Sequence, residues 1–113
     1  MNADTASSVA ANTLKKGDVL GAARFAAIQA AKSAASFLPL ANSGPPRRTT
    51  VEFLLSDTAV DVEVIVVGRD AEGDDVTMPA LSAATVATLT IYDMCKSVDR
   101  TMSIGPVRLA EQG

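Results

Sequence analysis

Hydrophobic and polar residues follow two periodicities along this chain, one typical of helices and one typical of strands. Residues 19–37 are dominated by alanine, which favours helix, and Asp18 directly before them is a suitable N-cap. We predict a helix that begins after Gly17-Asp18 and ends near Phe37, because Pro39 disfavours helical geometry in the residue before it. Residues 7–14 can form a second, shorter helix.

Two segments in the middle of the chain alternate with the two-residue period of a strand. In residues 51–55, Val51, Phe53 and Leu55 share one face. In residues 60–67, the valines at even positions share one face. Residues 56–58 between the segments have the composition of a turn, so we predict an antiparallel hairpin with one apolar and one partly charged face.

A third helix is predicted from Pro79 to about Arg100, because apolar residues recur there at intervals of three and four. The predicted core stripe of this helix consists of Leu81, Ala84, Thr88, Ile91, Cys95 and Val98. A second stripe on another face consists of Val86, Leu89, Asp93, Lys96 and Arg100. The pattern of residues 104–109 predicts a closing strand.

The predicted order of elements is helix, helix, strand, strand, helix, strand. This order is typical of a two-layer α+β sandwich of the split βαβ kind, with helices on one face of an antiparallel sheet. The first strand of that arrangement is absent or lies upstream of residue 1. With 113 residues, the chain fits a single domain spanning residues 1–113.

Composition excludes several classes of function. A net charge of −3 without a basic stripe argues against a nucleic-acid partner. No apolar run approaches ~20 residues, so no membrane span is expected.

A single cysteine, Cys95, indicates a reducing compartment, and we expect a cytoplasmic protein. With one cysteine and no histidine, we expect neither a metal site nor a cofactor. The many small side chains favour an oligomer.

Two groups of charged residues are candidates for chemistry. Asp93 and Lys96 are three residues apart and are therefore neighbours on one helix face. They form either a buried acid–ammonium pair that moves protons and holds phosphate, or an exposed ion pair of little consequence. Lys15 and Lys16 precede a helix N-terminus, where they either complete an anion site or lie in a solvated loop.

Several segments together resemble the MoaC family, the cyclic pyranopterin monophosphate synthases of molybdenum cofactor biosynthesis. The segments are KGDV at 16–19, AIQAAK at 27–32, LPL at 38–40, ALSAATVATLTIYDMCK at 80–96 and IGPVRL at 104–109. The resemblance extends from about Thr13 to Leu109, and the long helical segment is its most specific part.

The resemblance implies a ferredoxin-like protomer in a hexamer built as a trimer of dimers, with the active site at a dimer interface. It implies a GTP-derived substrate, 3′,8-cyclo-7,8-dihydro-GTP, which becomes cyclic pyranopterin monophosphate with release of pyrophosphate. A hetero-oligomer with an active homologue is the alternative assembly. Lys16, Asp93 and Lys96 match the family's catalytic residues. The positions that match its substrate-binding residues are Leu40, Ala41, Asn42, Met78 and Pro79.

The chain departs from the family at a cysteine, a histidine and two glutamates. Where the family has Cys-His-Pro after Pro-Leu, this chain has Ala41-Asn42-Ser43, and Thr77 and Pro79 replace two glutamates. Asn42 and Thr77 form hydrogen bonds but do not titrate near neutrality, and Pro79 has neither charge nor N–H. Two functions therefore remain open: a divergent synthase, and a catalytically inactive relative that serves as a structural, ligand-binding or partner subunit.

Overall fold

The computed structural model describes residues 1–40, 44–69 and 75–110. Its elements, in chain order, are α1 (Ala3–Ala11), α2 (Val19–Phe37), β1 (Arg48–Leu55), β2 (Val60–Val67) and α3 (Thr77–Cys95). The two long helices pack on each other, and α2 contacts β1 while α3 contacts β2. The predicted two-layer α+β sandwich is confirmed, and its two antiparallel strands and three helices are consistent with a ferredoxin-like fold.

Helix α2 begins and ends where the sequence predicts. The Asp18 carboxylate caps it by accepting a hydrogen bond from the Gly21 N–H at 3.0 Å. A side chain at Gly21 would collide with that carboxylate, so the cap depends on glycine at this position. At the other end, Leu38 is already extended, as expected for the residue before Pro39.

The hairpin also forms as predicted, with β1 antiparallel to β2. Val51 lies opposite Val64 and Phe53 opposite Val62, and these residues face the helices. Arg24 of α2 reinforces this contact, because its Nε and Nη2 both donate to the Val51 carbonyl at 3.2 Å. The same guanidinium lies 5.1 Å from the centroid of the Phe53 ring.

The outer face of the hairpin places two like charges directly opposite each other. Glu52 pairs with Glu63, and both side chains are exposed. Substituting Glu63→Lys should raise the free energy of unfolding by about 0.2–1 kcal/mol, because repulsion across the strands becomes attraction. Urea denaturation measures the change. Asp57→Lys is the matched control, since it makes a similar charge change at an exposed position in the turn, outside the strand ladder; an equal gain there would contradict this explanation.

Small side chains fill the interface between the long helices. Ala23 and Ala27 of α2, and Ala83 and Ala87 of α3, are all fully buried. Because alanine side chains are short, the two helix backbones can approach closely. This close contact fixes the position of the C-terminal end of α3.

Three details of the prediction were wrong. Helix α3 spans Thr77–Cys95, so it begins before Pro79 and ends short of Arg100. Its buried stripe runs through Ala83, Ala87, Ile91 and Cys95 instead of Ala84 and Thr88, and Val98 is 56% exposed. Residue size does not explain the displacement, since Ala83 and Ala84 are identical; the packing of α3 on α2 decides which of them is buried. Helix α1 begins at Ala3, where the Asn2 side chain accepts a hydrogen bond from the Thr5 N–H at 2.8 Å.

The predicted closing strand at 104–109 is the largest error. These residues form no strand, and the sheet of the described residues has two strands. A strand exists only through hydrogen bonds to a neighbouring strand, and the proline at 106 has no N–H to contribute.

None of the helices in the described ranges is long and apolar enough to span a bilayer.

Candidate functional site

The three residues proposed to be catalytic meet at the C-terminal end of α3. Lys96 Nζ donates to Asp93 Oδ1 at 2.7 Å, and Lys16 Nζ donates to the main-chain carbonyl of Asp93 at 3.2 Å. Lys16 precedes Asp93 by 77 positions, so packing of α2 on α3 creates this contact. We call Lys16, Asp93 and Lys96 the charged cluster.

A tight turn before α2 places Lys16 in the cluster. The Gly17 N–H donates to the Leu14 carbonyl at 3.1 Å, and Gly17 has a φ of +116°. This backbone conformation is strained for any residue with a side chain, which explains the glycine after Lys16. The Lys16 ammonium also gives the Asp93 carbonyl, in the last turn of α3, a hydrogen-bond donor. A positive charge at this end of a helix interacts favourably with the helix dipole.

The ion pair within the cluster is exposed, not buried. The side chains of Asp93 and Lys96 are 68% and 56% exposed. Of the two interpretations of their spacing, the structure therefore supports a surface pair. Because both side chains are exposed, they remain accessible to a ligand, and such pairs contribute little to stability.

The pairing fixes the protonation states of both groups. The hydrogen bond from Lys96 lowers the pKa of Asp93 below its usual value, and the charges of Lys96 and Lys16 act in the same direction. The reciprocal hydrogen bond raises the pKa of Lys96. At neutral pH the cluster therefore presents a carboxylate that can accept a proton and ammonium groups that attract anions.

Cys95, between the two members of the ion pair, is part of the core. Its side chain is fully buried, and burial raises the pKa of the thiol. A thiol in this environment is protonated and poorly nucleophilic, so Cys95 contributes packing.

A cleft adjoins the cluster on the side of Lys96. It has a volume of about 480 Å³ and is open to solvent. The lining residues are Tyr92, Lys96, Ser97, Asp99 and Arg100. Arg100 was predicted to lie on the same helix stripe as Asp93 and Lys96, but the sequence carries no signal for the cleft.

Asp99 fixes the backbone beneath this cleft and was missed by the sequence analysis. It is only 3% exposed, and its carboxylate accepts hydrogen bonds from the Asn2 N–H, the Thr101 N–H and the Thr101 hydroxyl at 2.6–2.8 Å. The Thr101 hydroxyl and these two N–H groups hold the pKa of Asp99 far below its usual value. The only sequence signal for this role is a threonine two residues after an aspartate, which is typical of a local side-chain turn.

We expect the Asp99 carboxylate to make stability depend on pH. Its pKa is lower in the folded state, so its contribution is full above the unfolded value of about 3.9 and is lost as the pH falls toward the folded value. Asp99→Asn should therefore lower the melting temperature at pH 7, and the difference from the unmodified chain should shrink from about pH 5 downward. Melting curves across this range test the expectation, with exposed Asp61→Asn as control. A difference that does not change with pH would contradict it.

Two of the remaining predicted site residues, Met78 and Pro79, lie apart from the cluster. Met78 is 40% exposed and Pro79 is fully buried, both in the first turn of α3. Asp93 is 15 residues further along the helix, which corresponds to roughly 22 Å. Leu40 is 94% exposed, and Ala41 and Asn42 lie outside the described residues. Within one chain, Met78 and Pro79 thus lie at the opposite end of α3 from Asp93 and Lys96.

The comparisons with known proteins agree with one another on the family and the pathway. The model of the MoaC family matches residues 1–113. A "Molybdenum cofactor biosynthesis bifunctional protein" from Chlorobaculum tepidum is 45% identical over 96 residues, which are 85% of this chain and 30% of that protein. Two proteins named "Cyclic pyranopterin monophosphate synthase" also match. The one from Natranaerobius thermophilus is 42% identical over 116 aligned residues, and the one from Roseiflexus castenholzii is 39% identical over 112. Each match covers 99% of this chain and 70% or 71% of the relative.

Proposed function

This chain belongs to the MoaC family, and from that premise we propose that it acts in molybdenum cofactor biosynthesis as a cyclic pyranopterin monophosphate synthase. The substrate would be 3′,8-cyclo-7,8-dihydro-GTP, and pyrophosphate would be released. The observation that carries the proposal is the convergence of Lys16, Asp93 and Lys96 at one exposed position, although Lys16 is remote from the other two in sequence.

Each member of the charged cluster can be given a role consistent with its protonation state. Asp93 is an accessible carboxylate and would accept a proton while the substrate ring opens and closes. Lys96 and Lys16 are cations and would balance the negative charge of the phosphates. Both ammonium groups are held by single hydrogen bonds to Asp93, so either can turn toward a ligand without exposing a buried charge.

We also propose that the site is completed by a second chain. The charged cluster and the Met78 end of α3 are too far apart to act on one small substrate within a single chain. Large apolar side chains remain exposed on α3, including Leu89 at 51% and Tyr92 at 37%, which favours a partner on this helix. The assembly would be a homohexamer, a trimer of dimers. Residues 1–113 would form one domain of a cytoplasmic protein, where the Cys95 thiol stays reduced.

One observation supports a second candidate function, that of a catalytically inactive subunit. Thr77 and Pro79 have no titratable group where the family has glutamates. The chain also contains no histidine that could act as an acid or a base in their place. Pro79 is moreover part of the core, so the position of one family glutamate is closed to substrate in this chain. Such a subunit would provide the charged cluster within a hetero-oligomer, and an active homologue would provide the missing acids and bases.

Complementation separates these two candidates. The chain is expressed in cells that lack their own synthase, either alone or with a homologue whose lysine and aspartate of the charged cluster are replaced by alanine. Restored cofactor synthesis by the chain alone would support the synthase proposal. Restoration only in the presence of the disabled homologue would support the second candidate, and failure in both arms would contradict both.

A further inference from the structure

The hairpin has an outer face, on the side away from the two long helices. Val51, Phe53, Val62 and Val64 contact the helices, so the alternate residues of both strands point to the other side. Six of the eight outward residues are exposed, and the described part of the chain therefore leaves this outer face uncovered. In order along the strands, its four cross-strand pairs are Arg48 with Val67, Thr50 with Ile65, Glu52 with Glu63, and Leu54 with Asp61.

Three arginines lie at one end of the outer face. The Arg47 N–H donates to the Val67 carbonyl at 2.8 Å while the register pairs Arg48 with Val67, so two successive residues oppose one residue of β2. This is a β-bulge, and it concentrates both arginines at the same end of the hairpin. Arg69 follows β2 by two residues, and its Nε donates to the Pro45 carbonyl at 2.9 Å. Within the described ranges, none of the three arginines forms an ion pair.

Acidic side chains occupy the other half of the outer face. Glu52 and Glu63 lie directly opposite each other, and Asp61 belongs to the next cross-strand pair. Like charges directly opposite each other destabilise a hairpin. The ion pair of the described residues is at the end of α3, so no cation of this part of the chain offsets the repulsion. Positive charge from outside the chain would offset it.

Large apolar side chains beside these charges are exposed as well. Ile65, in the pair between the arginines and the glutamates, is 49% exposed, and Leu54, beyond the glutamates, is 72% exposed. Exposed apolar groups rimmed by charged ones are typical of surfaces that bind another protein. The outer face thus has a positive end, an apolar residue near its middle and a negative end.

We propose that the outer face binds the outer face of a second copy of this chain, with the two hairpins pointing in opposite directions about a twofold axis. The axis passes through the pair of Thr50 and Ile65. It places Arg48 of each copy over Glu52 and Glu63 of the other, and the two Ile65 side chains meet at the centre. Because a twofold axis makes both contacts identical, one pattern of charge satisfies both copies.

Charge selects both this arrangement and this partner. Two hairpins that pointed in the same direction would place glutamates on glutamates and arginines on arginines, and like charges across an interface cost affinity. The outer face is on the opposite side of the sheet from α3, so this contact is distinct from the one proposed on that helix. The self-association therefore goes beyond the synthase reaction and does not depend on it.

Analytical ultracentrifugation of the full chain over a series of concentrations tests the proposal. Arg48→Glu and Glu63→Lys should each weaken self-association about tenfold or more, because like charges then face each other across the axis. Glu63→Lys is expected to stabilise the hairpin within one chain, so weaker association of this variant does not reflect unfolding. Asp57→Lys, in the turn outside the outer face, is the control and should associate within about twofold of the unmodified chain.

Mixing the two single variants separates a contact between copies from one within a chain. In a mixed pair, the introduced glutamate of one copy faces the introduced lysine of the other, and the second contact keeps its natural Arg48 and Glu63. We therefore expect the equimolar mixture to associate about as tightly as the unmodified chain. No contact within a single chain can produce this rescue.

Three results would overturn the proposal: the mass of a single chain at every concentration, equal association of the single variants and the unmodified chain, or no rescue on mixing. Equal association would assign the self-association to another surface, such as the exposed side chains of α3. Because the measurement needs no turnover, its failure leaves the synthase proposal standing, and a chain that forms no pterin leaves the outer-face contact standing.

Discussion

Replacing Asp93 by alanine is expected to slow formation of cyclic pyranopterin monophosphate by about 10²–10⁴-fold. The change removes the carboxylate that is held ionised beside Lys96, and with it the proposed proton acceptor of the charged cluster. The rate of product formation is measured by chromatography after oxidation of the pterin. Asp61→Ala, an exposed aspartate on β2, is the control and should retain the full rate.

The loss of activity should occur without a loss of stability. The Asp93 side chain is 68% exposed and has no part in the core, so Asp93→Ala should melt at nearly the same temperature as the unmodified chain. Because its lowered pKa keeps Asp93 ionised well below neutrality, the dependence on this carboxylate should persist into mildly acidic buffer. Turnover that is indifferent to Asp93→Ala would eliminate the mechanism.

Replacing Ala27 by leucine is expected to cost about 1–3 kcal/mol of unfolding free energy. Ala27 is fully buried between α2 and α3, in an interface whose other members, Ala23, Ala83 and Ala87, leave no room for three more carbon atoms. The helices must separate or the leucine must adopt a strained rotamer. For a domain near this size, each kcal/mol corresponds to roughly 4–8 °C in melting temperature.

Ala35→Leu provides the matched control for this substitution. It makes the same chemical change in the same helix, at a position that is exposed. We expect a change in unfolding free energy within about 0.5 kcal/mol, as is usual for surface substitutions. Equal destabilisation by the two variants would show that the cost comes from helix propensity and not from the alanine interface.

Local signals in the sequence were sufficient for much of the fold. The alanine-rich run with its Asp18 cap predicted α2, and two-residue alternation predicted both strands and their faces. The buried stripe of α3 was predicted correctly at Ile91 and Cys95, but further towards the N-terminus it runs through Ala83 and Ala87 instead of Ala84 and Thr88. Periodicity shows how far apart the buried residues of a helix are. The packing of α3 against α2 decides which residues of α3 they are. The segment 104–109 has strand-like composition, but no neighbouring strand pairs with it.

The candidate site was predictable in part. Spacing indicated that Asp93 and Lys96 are neighbours, and the family resemblance added Lys16. Neither signal shows that the Lys16 ammonium bonds to the Asp93 carbonyl, because that contact depends on packing between two helices. The cleft and the role of Asp99 arise from the turn after Cys95 and its hydrogen bonds to Asn2 and Thr101, which have no periodic signature.

The most direct test is to incubate the purified, unmodified chain with 3′,8-cyclo-7,8-dihydro-GTP and to follow pterin and pyrophosphate together. The charged cluster predicts that both products accumulate in equal amounts, with a rate proportional to protein concentration. Absence of both products from a correctly folded chain would contradict the central claim that Lys16, Asp93 and Lys96 form a working synthase site.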